Sequence, residues 1–266
     1  MKRERTTSRV AIVTGATSGI GRATAIALGR EGYALVLSGR REAELLTLAT
    51  ELRTLGAESA TVSADIADRA SADRLVQTAL SRFDGLDAVI CCAGRYVRGP
   101  AVTRTAADFE EALSVNFYGV LHLVYAALPH FLQKHSGHLV AVSSIDGKKG
   151  LPLDAPYVAS KSALTGFFDV LRQELRGTGV RVLTVLPGRV DTPMIATLRV
   201  PAVSAKIPPE RVARTIARGV RRGWSKEIVG PPIGGWLLVA LSALSPQLGD
   251  FLIRVFHLEG REKAAA

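Results

Sequence analysis

The stretch APYVASKSAL sets Tyr157 and Lys161 four positions apart, a spacing that puts a phenol and an ammonium on one helix face, a turn apart. A phenol with an ordinary pKa near ~10 transfers protons poorly at neutral pH, but a cation beside it favours the phenolate and lowers that pKa. The pair has the makings of a tuned acid, although the same spacing also fits an ordinary helix surface. A second group of residues points to a phosphate. RVAIVTGATSGIGRATAIAL runs from a β-branched strand through Gly15, Gly19 and Gly21 into a helix of small residues beginning near Gly19. Glycines let the backbone turn sharply and approach a ligand, and the free N–H groups of a helix N-terminus face an anion such as a pyrophosphate. The spacing is T-G-x-x-x-G-x-G rather than G-x-G-x-x-G, but the strand-loop-helix setting is the one such a cradle needs.

The second strand ends in VLSGRR, where a dinucleotide-binding unit selective for NAD would place an acid on the ribose hydroxyls. Arg40 and Arg41 stand there instead. A carboxylate would repel a 2′-phosphate and a guanidinium can accept it in a forked geometry, so NADP is expected over NAD; the other reading is that both arginines simply begin an exposed helix. Asp65, in SADIAD after the third strand, either caps the following turn or touches the adenine.

The elements that must hold these groups alternate along the chain. Short β-branched runs predict strands near Val10 to Thr14, Ala34 to Ser38, Ala60 to Ser63, Ala88 to Cys91, His138 to Ser143, Arg181 to Leu186 and Glu227 to Val229, with helices between them. In REAELLTLATELRTLG, Leu45, Leu48, Leu52 and Leu55 form one stripe ending at Gly56. This is the pattern of repeated βαβ units: an α/β fold, a Rossmann-type doubly wound parallel sheet of about seven strands with helices on both faces. The 266 residues suit a single domain, with a fraying basic segment at 1–8, a dinucleotide-binding and catalytic core at 9–190, a substrate lid at 191–225 and apolar or amphipathic helices at 230–260.

Composition excludes several classes. Hydrophobic residues are 47% and charged residues 22%, which is ordinary globular usage. The net charge of +10 would attract cofactor phosphates, anionic lipid or nucleic acid, but no nucleic-acid-binding signature accompanies it, so no nucleic-acid partner is expected. The two cysteines, Cys91 and Cys92, are adjacent in an apolar run, read as small buried hydrophobes and fit a reducing, cytoplasmic setting. MKRERTTSRV carries no apolar run of a secretory signal. The five histidines, with His135 and His138 in KHSGH, make no ligand set, and no metal is expected.

From about Val10 to Met194 the chain resembles the short-chain dehydrogenase/reductase family, through motifs that recur in order: TGATSGIG, the Ala93-Gly94 pair after the fourth strand, NFYGV with Asn116, VSSIDG, and YVASK. In the family the reactive serine lies thirteen positions before the tyrosine, which selects Ser144 over Ser143. The resemblance implies that Tyr157 protonates a carbonyl oxygen while a nicotinamide delivers hydride, that Ser144 holds that oxygen, that Lys161 lowers the tyrosine pKa and binds the nicotinamide ribose, and that Asn116 fixes a water resupplying protons. It implies nucleotide contacts at Gly15, Thr17, Ser18, Gly19, Ile20 and Gly21, at Ala93 and Gly94, and at Pro187, Gly188, Val190 and Thr192 in LPGRVDTPM. One departure is Cys91-Cys92-Ala93-Gly94 where the family often reads N-N-A-G; the missing amides would loosen the fourth strand locally without adding a demanding buried polar group.

The tail is the least ordinary segment. Ile233 to Leu244 is nearly all apolar yet too short to span a bilayer comfortably; Ser245 then reads as an N-cap with Pro246 following, and Leu248, Phe251, Leu252, Val255 and Phe256 form a stripe opposite Gln247, Asp250, Arg254 and His257. These helices have three readings: a roof over a substrate pocket, a subunit interface, or a peripheral membrane contact. The expectation is an NADP(H)-dependent carbonyl reductase, or alcohol dehydrogenase in reverse, acting on a small, fairly apolar substrate as a homodimer or homotetramer. The alternative is a catalytically weak NADP-binding scaffold or redox-sensing protein of the same fold.

Overall fold

The structure is a computed structural model, and it describes residues 8–230 and 233–262; the basic segment at 1–8 lies outside them apart from Ser8. In chain order the elements are β1 (Val10–Thr14), α1 (Gly19–Arg30), β2 (Ala34–Gly39), α2 (Glu42–Thr54), β3 (Ser59–Ser63), α3 (Arg69–Phe83), β4 (Ala88–Cys91), α4 (Ala106–Leu113), α5 (Gly119–Lys134) and β5 (Gly137–Val142). They continue with α6 (Ala155–Glu174), β6 (Val180–Leu186), β7 (Leu198–Arg199), α7 (Pro209–Arg221), β8 (Lys226–Val229), α8 (Ile233–Leu244), α9 (Pro246–Val255) and β9 (Arg261–Glu262).

Seven strands form one parallel sheet in the order β3-β2-β1-β4-β5-β6-β8. Side chains alternate across it. Ile12 and Val89 face the layer of α3, α5 and α6, packing with Leu75, Leu123, Phe131 and Phe168. Their neighbours Val13 and Ile90 face α1, α2 and α7, packing with Leu28, Leu45, Leu48 and Ile216. A strand buried on both faces must be apolar at every position, which is why β1 and β4 read as unbroken hydrophobic runs. The chain reverses its direction of sheet growth between β1 and β4, and in open α/β sheets ligands bind in the crevice at the carboxyl ends of the strands there.

The seven sheet strands fall within one residue of their predicted positions at every boundary. Three features differ from expectation. Leu55, placed on the buried stripe of α2, is the C-cap residue and 38% exposed, because the helix has already ended. β7 and β9 pair antiparallel as a separate two-residue ribbon, too short to leave a periodic signal. Most of the α9 stripe stays exposed: Gly249 and Ile253 are the helix's buried residues, whereas Leu248, Phe251, Val255 and Phe256 remain 40–54% exposed. Ser245 does cap α9, accepting from the Leu248 N–H at 3.3 Å. The run Ala106–Lys134, through α4 and α5, is long and apolar enough to cross a membrane, but Leu123, Val124, Ala127 and Phe131 of α5 are buried in the core.

Candidate active site

The turn after β1 is built for close approach. Gly15 has φ +65°, and a Cβ there would lie 2.8 Å from the Ala93 backbone; one on Gly21 would lie 2.3 Å from the Gly15 carbonyl oxygen. Nothing larger fits either position. The α1 N-terminus has Ser18 as its N-cap residue in extended conformation and no side-chain cap bond, so its first N–H groups are not taken up by a capping side chain. Thr192 closes over this turn: a Cβ on Gly19 would meet its Cγ2 at 2.8 Å. Thr14 at the end of β1 accepts from the N–H groups of Cys92 and Ala93 at 3.1 and 3.2 Å, which ties β4 to the cradle where the family's amides are missing. Cys91 is buried, and enclosure pushes both thiols up, Cys92 to about 12.

At the end of β2, Arg41 donates to Thr17 Oγ1 at 2.9 Å and pairs with Glu44, while Arg40 is exposed with no ion-pair partner among the described residues. Asp65 accepts from the Ala67 N–H at 3.0 Å, so it does hold its own turn.

Tyr157 and Lys161 sit on the first two turns of α6, with the ammonium 5.7 Å from the centre of the phenol ring. The two serines at the end of β5 separate cleanly. Ser143 Oγ contacts Thr165 Oγ1 at 2.8 Å and the Lys161 carbonyl at 3.2 Å within the core. Ser144 Oγ accepts from the Asp146 N–H at 3.1 Å, and its own proton can turn toward the Tyr157 phenol or the Asp146 carboxyl, both of which it draws down in pKa. Asn116 lies fully buried in a π-helical turn, Ser114–Tyr118, between α4 and α5. Its side chain is committed to protein: Oδ1 accepts from the Arg95 N–H, and Nδ2 donates to the Arg95 carbonyl and Ser160 Oγ. Gly94 packs against it, since a Cβ there would stand 3.4 Å from Asn116 Oδ1 and 3.9 Å from Lys161 Nζ.

The electrostatics depart from expectation in one respect. Burial pushes the Tyr157 phenol up, with Asp146 adding to the rise and the nearby Ser144 hydroxyl opposing it; Lys161 does not lower it. Lys161 Nζ instead donates to the Val142 carbonyl at 2.9 Å, and its own pKa falls to about 8 through burial. Desolvation outweighs a cation that is turned toward the backbone.

These groups open onto a cavity of about 370 Å³, whose wall includes Ile20, Gly94, Ser144, Tyr157, Lys161, Pro187, Gly188, Val190 and Thr192. Leu238 and Leu241 of α8, Leu252 of α9 and its C-cap residue Phe256 line it too, so the tail helices roof the pocket. The roof is strapped down by two arginines that sequence reasoning missed. Arg98 pairs with Asp154 at 2.8 Å, both nearly inaccessible, and donates to the Glu259 and Gly260 carbonyls. Arg189 donates to Ser204 Oγ at 2.6 Å and to the Leu258 carbonyl. Tyr96 donates to Asp154 Oδ1 at 2.8 Å. The one available signal was Asp154 ahead of Pro156, a helix start; arginines binding backbone carbonyls far along the chain leave none. Among the described residues no group of three or more His, Cys, Asp or Glu is placed to hold a metal.

A parallel sheet with a glycine turn at its switch point, and a serine, tyrosine and lysine around one cavity, define a dinucleotide-binding oxidoreductase architecture. The chain belongs to the short chain dehydrogenase family, whose sequence profile matches residues 9–201. An uncharacterised oxidoreductase of Staphylococcus epidermidis is 36% identical over 186 residues, 70% of this chain and 80% of that protein. One from Listeria monocytogenes is 34% identical over 193 residues, 72% of this chain and 78% of that protein. Among solved structures, an actinorhodin polyketide ketoreductase with NADPH aligns at a TM-score of 0.77 and 29% identity, over 84% of this chain and 95% of that one. An alcohol dehydrogenase from the archaeon Thermococcus sibiricus complexed with 5-hydroxy-NADP aligns at 0.77 and 26% identity, over 85% and 97%.

Proposed function

We propose that this oxidoreductase interconverts a carbonyl and a secondary alcohol with NADP(H), on a small and largely apolar substrate. The observation that carries the reading is the convergence of Ser144, Tyr157 and Lys161 on one cavity beside the glycine turn. The turn fits a pyrophosphate because a Cβ would fill it at Gly15 or Gly21, with Thr17, Ser18, Gly19 and Ile20 around it. Arg40 and Arg41 supply forked donors for a 2′-phosphate, Asp65 flanks the adenosine side, and Ala93 and Gly94 contact the cofactor between the glycine turn and Lys161. Pro187, Gly188, Val190 and Thr192 line the nicotinamide end. When bound, the nicotinamide supplies or removes the hydride.

Ser144 Oγ donates its proton to the carbonyl oxygen, and Tyr157 protonates that oxygen as charge builds on it, or takes the alcohol proton in reverse. Lys161 is a weakly held cation at neutral pH; swinging from Val142 toward the ribose hydroxyls and phenol, it would lower the Tyr157 pKa that burial raises. With the Asn116 side chain occupied by Arg95 and Ser160, its place in proton resupply falls to its main-chain carbonyl, set in the π-helical turn. The apolar substrate follows from a wall rich in Leu and Val, with Leu237 and Phe256 on both the wall and the outer surface. Cytoplasmic location, assembly as a homodimer or homotetramer, and peripheral lipid contact through the half-exposed Trp236 and Phe251 complete the reading.

The test is NADPH oxidation with a panel of ketones and aldehydes. Turnover that Tyr157→Phe lowers by ~10²-fold or more, with NADPH binding retained, supports the assignment. Binding of NADPH with no turnover on any carbonyl identifies a scaffold instead.

A further inference from the structure

Directly after Ser144 the chain makes a single 3-10 turn, Ile145–Gly147, which carries Asp146 onto the wall of the cavity. Its N–H is the donor to Ser144 Oγ, so the aspartate and the serine are locked together as one unit. The carboxyl has no ion-pair partner among the described residues. The cations nearby are engaged elsewhere: Arg98 by Asp154 and two tail carbonyls, Arg189 by Ser204 and the Leu258 carbonyl. Asp154 adds a like charge from the α6 N-terminus, and the Tyr157 phenol faces the same space. Burial and Asp154 together push the Asp146 carboxyl up to about 7, while Arg189 and Ser144 pull it back.

A carboxyl in such a place is costly, and the folded chain offers it little return. Asp146 lines the cavity beside Ser144, whose hydroxyl is the one neighbouring hydrogen-bond donor among the described residues that lowers its pKa, so an entering donor finds an acceptor there. An entering ammonium would have to shed its water along a wall of Leu and Val, whereas a neutral hydroxyl pays a small part of that cost. A hydroxyl donating to Asp146 must also lie close to a carbonyl held by Ser144, because the two residues form one turn.

We propose that Asp146 is a substrate-binding residue, accepting a hydrogen bond from a hydroxyl on a carbon α or β to the reacting carbonyl, so that hydroxy-ketones (diols in the reverse direction) are the preferred substrate class. This rests on the carbonyl-reductase reading and narrows its substrate. An otherwise apolar pocket then selects by one polar contact beside the reacting carbon, since a site that has buried an acceptor rejects the analogue leaving it unmatched.

The experiment compares kcat/KM with NADPH for a hydroxy-ketone and the ketone of equal length lacking the hydroxyl, in wild type, Asp146→Ala and Asp146→Asn, with thermal melts to establish folding. The wild type is expected to favour the hydroxy-ketone by about tenfold or more, as for a hydrogen bond to a charged group. Asp146→Ala brings the ratio toward one through KM for the hydroxy-ketone, and Asp146→Asn, which keeps an acceptor oxygen, restores part of it. Turnover of both ketones with no hydroxyl preference, or a preference that survives Asp146→Ala, overturns the inference and leaves the reductase standing. Turnover of neither by the wild type sinks the reductase reading, and the assignment of Asp146 with it.

Discussion

The Tyr96 ring meets the Tyr157 ring edge-on, with centroids 5.0 Å apart and planes at 88°, while its hydroxyl is held by the N-cap residue of α6, Asp154. The loop after β4 thus grips the first turn of the helix that carries Tyr157, and the Gly99 N–H reinforces it by donating to the Leu153 carbonyl at 2.7 Å. Removing the ring by Tyr96→Ala is expected to lower kcat by ~10-fold or more with little effect on NADPH affinity, because an edge-on contact of this kind orients the phenol. Tyr96→Phe keeps the ring and is expected to lose less. Steady-state kinetics of the two variants checks this; equal loss would place the effect in the hydroxyl.

Arg98→Ala breaks a buried pair and leaves Asp154 without its cation. Such losses cost ~3–5 kcal/mol, and here the tail carbonyls of Glu259 and Gly260 lose their donor as well. Denaturant unfolding should show that loss, and limited proteolysis should show earlier cutting after α9. A variant as stable as wild type would mean that the strap contributes nothing.

Arg40 and Arg41 stand at the end of β2 in different states, one exposed without an ion-pair partner and one bonded to Thr17 and Glu44. Arg40→Ala is therefore expected to weaken NADPH by ~10-fold or more while changing NADH by less than about twofold, since only the former carries the 2′-phosphate. Fluorescence titration with both cofactors measures it. Equal losses would reject the arginine assignment.

What sequence made legible follows from what was local. The strands of a doubly buried sheet must be apolar throughout, and the glycine turn and the Tyr157–Lys161 spacing are each contained in a short window, so these emerged with their positions. The ionisation of the site did not, because the Tyr157 phenol responds to how deeply it is enclosed and to Asp146, neither of which its own helix reveals. The α9 stripe was legible as a stripe but not as to its direction, since Gly249 and Ile253 are the helix's buried residues while Leu252 and Phe256 line the cavity and the rest of the stripe stays exposed. Arg98 and Arg189 reach carbonyls 161 and 69 positions further along the chain, a relation that no periodicity encodes.

Asp146 also ties the site to pH. Its pKa rises from 3.8 to about 7 on folding, so the folded state binds the proton more tightly than the unfolded one. By linkage, its contribution to stability is then fullest below the unfolded value, declines as pH rises through this interval, and is flat above it. At ~1.4 kcal/mol per pKa unit the decline has a ceiling of ~4 kcal/mol, and contact with cavity water brings the expected figure to ~1–3 kcal/mol. Asp146→Asn cannot ionise and removes this slope. Thermal melts of wild type and variant at pH 5 and pH 8 should show the variant gaining on the wild type at the higher pH, with every group outside the site cancelling in the difference. Parallel changes across that range would mean that Asp146 is already solvated in the folded protein, and that the carboxyl imposes no cost for a substrate hydroxyl to relieve.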